Sequence, residues 1–337
     1  MTTRAVHRSD RLKPSRSGTC AKRECCVSED LEIAVTAWRF GTGGVGSELA
    51  AQAEIAESMG FHSFWLPENH FGGAASIPSP LMLLAGVASR TSRIRLGSTS
   101  YLLPIRHPIA AAEEVAVLDR MSDGRVILGV GRGFQPAMFT AFGVDPKEKR
   151  KRFKANLTLM IDAWQGRPVA SHEGEDVILA PLPVQQPHPP IWVAAFGPLA
   201  LKQAGGLGLP YLASPVETLA SLEANYARHR EAFVDAGHAG DVAVPVMRTL
   251  FVSDRSARVE AVKDVLAGEA RHRMREAEPD PDDWTIVGDH SYVKDKLVEY
   301  RESVGLTHLI ARGRITGVDD EEQLASLESL RTLAADV

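Results

Sequence analysis

The sequence predicts a (β/α)8 barrel, and three observations carry that prediction. From residue 30 onward, eight short β-rich apolar runs alternate with amphipathic stretches. Strands that are apolar along their whole length belong to a parallel sheet covered by helices. Eight such units in about 300 residues match the size of a barrel. The alternative is a Rossmann domain followed by a second α/β domain, but no Ser-, Gly- or Pro-rich linker divides the middle of the chain.

The strand-like runs are 31–38, 63–68, 94–100, 126–131, 191–195, 210–214, 244–253 and 308–313. Helical patterns occupy 47–59, 79–91, 108–120, 147–164, 198–204, 216–237, 256–271, 291–304 and 320–335. Ser47 is placed to cap the first helix. Pro108 and Pro198 suit a first helical turn, where a missing N–H costs nothing. Two excursions interrupt the pattern: the Pro-rich stretch 181–190 and the charged stretch 272–290.

Composition narrows the function. The chain has 337 residues, 44% hydrophobic and 24% charged, an ordinary globular mix. The net charge of -5 argues against nucleic acid or an anionic membrane as the main partner. The longest apolar run, Leu81 to Ala88, is far short of the roughly 18 residues of a membrane span. Residues 1–29 carry +4 and the rest -9. The first 29 residues have no periodicity and no apolar segment, so a disordered basic tail or a mis-called start codon is expected, with one barrel domain over 30–337. Cys20, Cys25 and Cys26 show no metal-ligand spacing, so no metal site is expected. A reducing cytoplasm fits them.

Several strand ends carry chemistry. Gly41-Thr42-Gly43-Gly44-Val45-Gly46 fits G-x-G-x-x-G, with Glu68 22 residues on, as in a dinucleotide fingerprint. Against it stand the bulky Trp38, Arg39 and Phe40 at the strand exit, and the excess of βα units. A Gly-rich loop over a barrel mouth is the simpler reading. Glu68, Asn69 and His70 follow the second strand, and barrel enzymes place their chemistry at that face. His107 precedes Pro108 at a helix start, where the dipole favours a neutral imidazole. Arg132 sits among Gly129, Gly131 and Gly133, a pattern suited to a phosphate or carboxylate. Phe196-Gly197-Pro198 opens a helix, a natural anion site.

Residues 65–71 (WLPENHF) and 96–145 (LGSTSYLLPIRHPIAAAEEVAVLDRMSDGRVILGVGRGFQPAMFTAFGVD) resemble the bacterial luciferase-like flavin monooxygenase superfamily. That group includes the luciferase subunits and the coenzyme F420-dependent oxidoreductases. IWVAAFG and IVGDHSYVKDKLVEYRESVGLTHLI agree with it, so the resemblance covers about 31–335. It implies a luciferase-like barrel with insertions and a reduced flavin or F420 at the C-terminal face. It places Arg132, Phe196 and Gly197 near the cofactor phosphate. It places the Thr99-Ser100 peptide behind the ring, with a non-proline cis bond. Glu68, Asn69, His70 and His107 then line the reacting side. The luciferase-type Glu-His-His is Glu68-Asn69-His70 here, which argues against light emission. The resemblance also implies a homodimer through helices near the second and third units. The apolar 79–91 stretch fits that role, and core packing accounts for its composition equally well.

The function this points to is an FMNH2-dependent monooxygenase acting on a small organic substrate with O2. A separate reductase would supply reduced FMN. Hydride transfer with coenzyme F420 is the alternative within enzymes, and a non-catalytic flavin carrier is the alternative outside them.

Overall fold

The computed structural model describes residues 30–40, 45–73, 76–273 and 280–337. The three cysteines, residues 1–29 and most of the Gly-rich 41–46 motif lie outside the described residues.

In chain order the first half runs β1 (Glu32–Thr36), α1 (Val45–Ser58), β2 (Ser63–Leu66), α2 (Pro80–Ala88), β3 (Arg95–Ser98) and β4 (Tyr101–Leu102). It continues with α3 (Pro108–Met121), β5 (Val126–Gly131), α4 (Pro136–Ala141), α5 (Lys149–Trp164) and a hairpin of β6 (Pro168–His172) and β7 (Glu175–Ile178). The second half is β8 (Ile191–Ala194), α6 (Pro198–Gly206), β9 (Tyr211–Leu212), α7 (Leu219–Asp235), β10 (Pro245–Val252), α8 (Ser256–Arg273), α9 (Pro281–Trp284), β11 (Thr285–Gly288), α10 (His290–Val304), β12 (His308–Arg312) and α11 (Asp320–Ala334).

Parallel pairing runs β10–β12–β1–β2–β3–β5–β8–β9. A bridge between Ala213 and Val246 joins the β9 end to β10 and closes the ring. The eight predicted strand runs therefore form one barrel.

The barrel strands are buried on both faces, for two different reasons. Ala34, Trp65, Ile127, Trp192, Leu212, Met247 and Ile310 fill the barrel interior. Their neighbours, such as Ile33, Val35, Phe64, Leu128 and Leu309, pack outward beneath the helices. Trp65 and Trp192 stack at 4.9 Å between ring centroids. β3 makes room for them with Gly97, where an added Cβ would come within 2.1 Å of the Trp65 ring.

Helix boundaries follow local chemistry. Proline occupies the first turn of α2, α3 and α6. Asp289 and Asp319 cap α10 and α11 through their side chains. Gly305, at φ 71°, ends α10 in the left-handed conformation. Ser47 does not cap α1: that helix begins at Val45, two residues earlier, so Ser47 lies in its first turn.

Candidate active site

The C-terminal ends of β2, β3, β5 and β8 gather most of the candidate residues at one mouth. Pro67 ends β2, and Glu68 then turns inward, 9% exposed. Its carboxylate accepts from His70 Nε2 at 2.7 Å, Arg106 Nη1 at 2.8 Å and the Leu102 amide at 3.0 Å. Arg106 lies over the Tyr101 ring at 3.8 Å and also donates to the Leu102 carbonyl. The Tyr101 hydroxyl donates to Glu114 at 2.6 Å, and burial pushes that hydroxyl well above the ordinary tyrosine range. Glu68 thus ties the β2 end to the β3–α3 connection.

His70 is buried, 7% exposed. Because Nε2 donates to Glu68, Nδ1 is left as the acceptor of the ring. Phe142 meets the imidazole edge-on at 5.1 Å, and Phe71 lies at 5.9 Å. Phe71 has φ 59° and is 65% exposed. A left-handed phenylalanine costs of order 1 kcal/mol or more, and such strain concentrates at functional sites.

Asn69 has a local task. Its Oδ1 accepts from the Ile77 amide at 2.7 Å, and its own amide donates to the Ile77 carbonyl at 3.0 Å. The pair closes the loop that follows His70.

The glycines of β5 serve the protein's own packing. An added Cβ on Gly129 would fall 1.9 Å from the Ser98 carbonyl oxygen, and one on Gly131 would fall 2.1 Å from Ser100 Oγ. Ser98 Oγ donates to the Gly129 carbonyl at 2.9 Å. These two glycines therefore admit the end of β3 rather than a ligand. The Thr99–Ser100 peptide in that segment is cis.

Arg132 follows β5. Its Nε and Nη2 are buried with no hydrogen-bond partner. The guanidinium lies 5.2 Å from the Phe153 ring. Burial, and then the nearby Arg150, push its pKa below the usual arginine range. Orphaned buried donors are rare and mark a missing partner, so this cation fits a phosphate. β5 pairs with β8, and the exposed Phe196 and Gly197, at φ 78°, follow β8 at the start of α6.

His107 is not brought to this cluster. It is exposed and precedes α3 without a side-chain cap. Its neighbour Arg106 enters the site instead. Sequence reasoning missed Arg106; the only signal was a cation in the loop that follows the third strand. Among the described residues no cluster of His, Cys, Asp and Glu could hold a metal ion, and no helix is long and apolar enough to cross a membrane.

A closed parallel barrel of this kind places its chemistry at the C-terminal mouth. The family model described as luciferase-like monooxygenase matches residues 34–308, and the chain belongs to that family. The oxygenase component of a flavin-dependent trigonelline monooxygenase from Acinetobacter baylyi is 33% identical over 45% of this chain and 43% of its own. Matches to this and other similar curated relatives span between 43% and 62% of those relatives' lengths. The fold is shared with a type II Baeyer–Villiger monooxygenase component from Pseudomonas putida bound to FMN, at TM-score 0.76, 21% identity and coverage of 91% and 98%. It is also shared with the F420-dependent tetrahydromethanopterin reductase of Methanopyrus kandleri, at TM-score 0.71, 20% identity and coverage of 91% and 99%.

Proposed function

We propose that the chain is the oxygenase of a flavin-dependent monooxygenase, using FMN reduced by a separate reductase to oxidise a small organic molecule with O2. The observation that carries this is the orphaned, buried Arg132 guanidinium on the same rim as the Glu68–His70–Arg106 cluster. Reduced FMN would supply the electrons that activate oxygen.

The chain's own residues have distinct tasks in this reading. Arg132 binds the phosphate with a charge-assisted fork. Phe196 and Gly197 border that phosphate. Thr99 and Ser100 support the ring. Glu68 fixes the tautomer and orientation of His70, as an orienting carboxylate does for a catalytic base. His70 holds or moves a proton at Nδ1. Phe71 and Phe142 screen that imidazole from water. Met82, Val117 and Met121, exposed on α2 and α3, support a homodimer through those helices.

A second reading, an F420-dependent oxidoreductase, has one observation in its favour. A cleft of about 830 Å³ between α5 and α6 is lined by Arg150, Lys151, Lys154 and Lys202, and Arg150 also neighbours Arg132. Positive charge beyond the phosphate suits a cofactor whose tail continues with carboxylates.

The test is anaerobic titration with reduced FMN and reduced F420, followed by admission of O2 with candidate substrates. The oxygenase reading expects tight binding of reduced FMN and O2 consumption coupled to substrate loss. Selective F420 binding, with substrate reduced anaerobically, would establish the second reading in its place.

A further inference from the structure

The cleft between α5 and α6 carries a graded charge. On α5, Arg150, Lys154, Thr158 and Asp162 line it at i, i+4 spacing, so they form one stripe of the helix, about 18 Å long at about 1.5 Å per residue. Lys151 joins them, and Lys202 faces them from α6. Both helices start at the mouth: α6 follows β8 directly, and Phe153 of α5 lies against Arg132. The four cations sit in the first two turns of these helices, at the mouth end. Toward the floor the lining turns neutral with Leu159, Pro168 and Val169, and Asp162 is tied to Arg167.

None of the four cations has an ion-pair or hydrogen-bond partner among the described residues, whereas Arg152, beside them on α5, pairs with Glu148. All four are exposed, and that separates their task from that of Arg132. A half-buried guanidinium with spare donors binds at fixed geometry. Solvated cations on flexible stems make a poor clamp, but they add to a field that reaches about 10 Å at 0.1 M salt. Arg150 is near enough for Arg132 to feel its charge, so the field runs on to the buried guanidinium. The rest of the surface opposes an anion, since residues 30–337 carry -9. A phosphate dianion is repelled by most of that surface and drawn to this end of the cleft.

We infer that the mouth end of the α5–α6 cleft is a landing site, at which Arg150, Lys151, Lys154 and Lys202 capture the phosphate of arriving reduced FMN before it passes to Arg132; this rests on Arg132 holding that phosphate. The four cations set how fast the cofactor arrives, and Arg132 sets how long it stays. A cofactor tail held permanently in the cleft would act on departure instead, so kinetics separates the two roles.

The experiment is anaerobic stopped-flow binding of reduced FMN and reduced riboflavin to the full chain, at about 0.02 M and about 0.5 M salt. The cleft variant is Lys151→Glu/Lys154→Glu. Its control is Arg93→Glu/Lys294→Glu, which changes the net charge equally, in the turn before β3 and on α10. Wild type should associate with FMN roughly tenfold or more faster at low salt than at high salt. The cleft variant should lose roughly that factor at low salt and keep its dissociation rate within about twofold, while the control stays near wild type. Riboflavin should associate alike with all three. An unchanged association rate in the cleft variant would overturn the inference. So would an equal slowing in the control, which would assign the effect to net charge, or faster dissociation alone, which would make the cleft part of the bound site. A wild type with no preference for FMN over riboflavin would overturn the phosphate assignment of Arg132, and the landing site with it. A preserved preference with normal association in the cleft variant would overturn the landing site alone.

Discussion

Two arginines bracket β5, and their surroundings differ completely. Arg125, at the N-terminal floor, donates to the carbonyls of Ala88, Thr91, Ile94 and Ser122 and to Thr91 Oγ1. Arg132, at the C-terminal mouth, keeps two buried nitrogens without partners. Burial lowers the pKa of both. Glu57 and Asp123 offset that effect at Arg125, whereas Arg150 adds to it at Arg132. The floor uses its arginine as internal glue; the mouth leaves one with buried donors unspent. In the proposed function those donors meet the cofactor phosphate, which would give one strand a stability end and a function end.

Exchanging the roles of the two arginines is the sharpest way to break this comparison. Arg125→Ala strips the donor from several partly buried acceptors at about 1–3 kcal/mol each. It should destabilise the protein by roughly 3 kcal/mol or more, while FMN affinity of the folded fraction holds. Arg132→Ala should leave the melting temperature of the cofactor-free protein unchanged or raised. It should weaken FMN affinity by roughly 1.5–3 kcal/mol, the worth of a hydrogen bond to a charged group. Riboflavin, which lacks the phosphate, should bind wild type and Arg132→Ala alike. Denaturant melts and fluorescence titrations on both variants decide the matter. A large stability loss from Arg132→Ala with FMN affinity intact would make the two ends equivalent.

His70→Ala comes next. Loss of a positioned proton donor or acceptor should lower turnover by about 10²-fold, with FMN still bound through Arg132. His107→Ala, at an exposed helix start, should change turnover little. The reverse pattern in steady-state rates would move the proton-handling role to His107.

Whether a feature could be read in the sequence follows from how it is built. The eight barrel strands were legible because each is apolar on both faces. The β6–β7 hairpin was not: its residues are almost all exposed and carry no apolar alternation. β11 was hidden at the edge of a charged excursion, although Thr285–Gly288 is wholly buried. In the site, Glu68, His70 and Arg132 stood out as polar residues following apolar strands. Arg106 did not, since only the fold brings it across 38 residues to Glu68. The glycines of β5 were legible as special, but their purpose was not, because the Ser98 and Ser100 atoms that need the space belong to a segment some 30 residues earlier in the chain.

At the floor, pH offers a separate lever. His62 and His308 meet edge-to-face at 5.3 Å. Burial lowers the pKa of His62 to about 3, helped by His308 and Arg95, and that of His308 to about 4, helped by Arg95. Both are neutral in the folded protein, whereas the unfolded chain takes up protons near pH 6.5. Stability is therefore fully present above about 6.5 and falls as pH drops toward the folded values, by about 1.4 kcal/mol per pH unit for each histidine. Urea melts between pH 7.5 and 5 should show this slope in wild type and a flatter one in His62→Gln/His308→Gln. Parallel curves would mean the pair is not the floor's acid-sensitive element.

The smallest effect is expected at Asn69, the mouth residue whose hydrogen bonds most resemble those of the floor. Its amide and Oδ1 are both spent on Ile77, so its role is to shape the loop behind His70 rather than to exchange protons. Asn69→Ala removes one side-chain hydrogen bond, worth about 1 kcal/mol, and should loosen that loop. KM should rise several-fold while kcat stays within about twofold, because His70 keeps its bond to Glu68. Asn69→Asp retains an acceptor for the Ile77 amide and should restore most of the KM. A fall in kcat comparable to that of His70→Ala, not rescued by Asp, would instead place Asn69 against the reacting atoms.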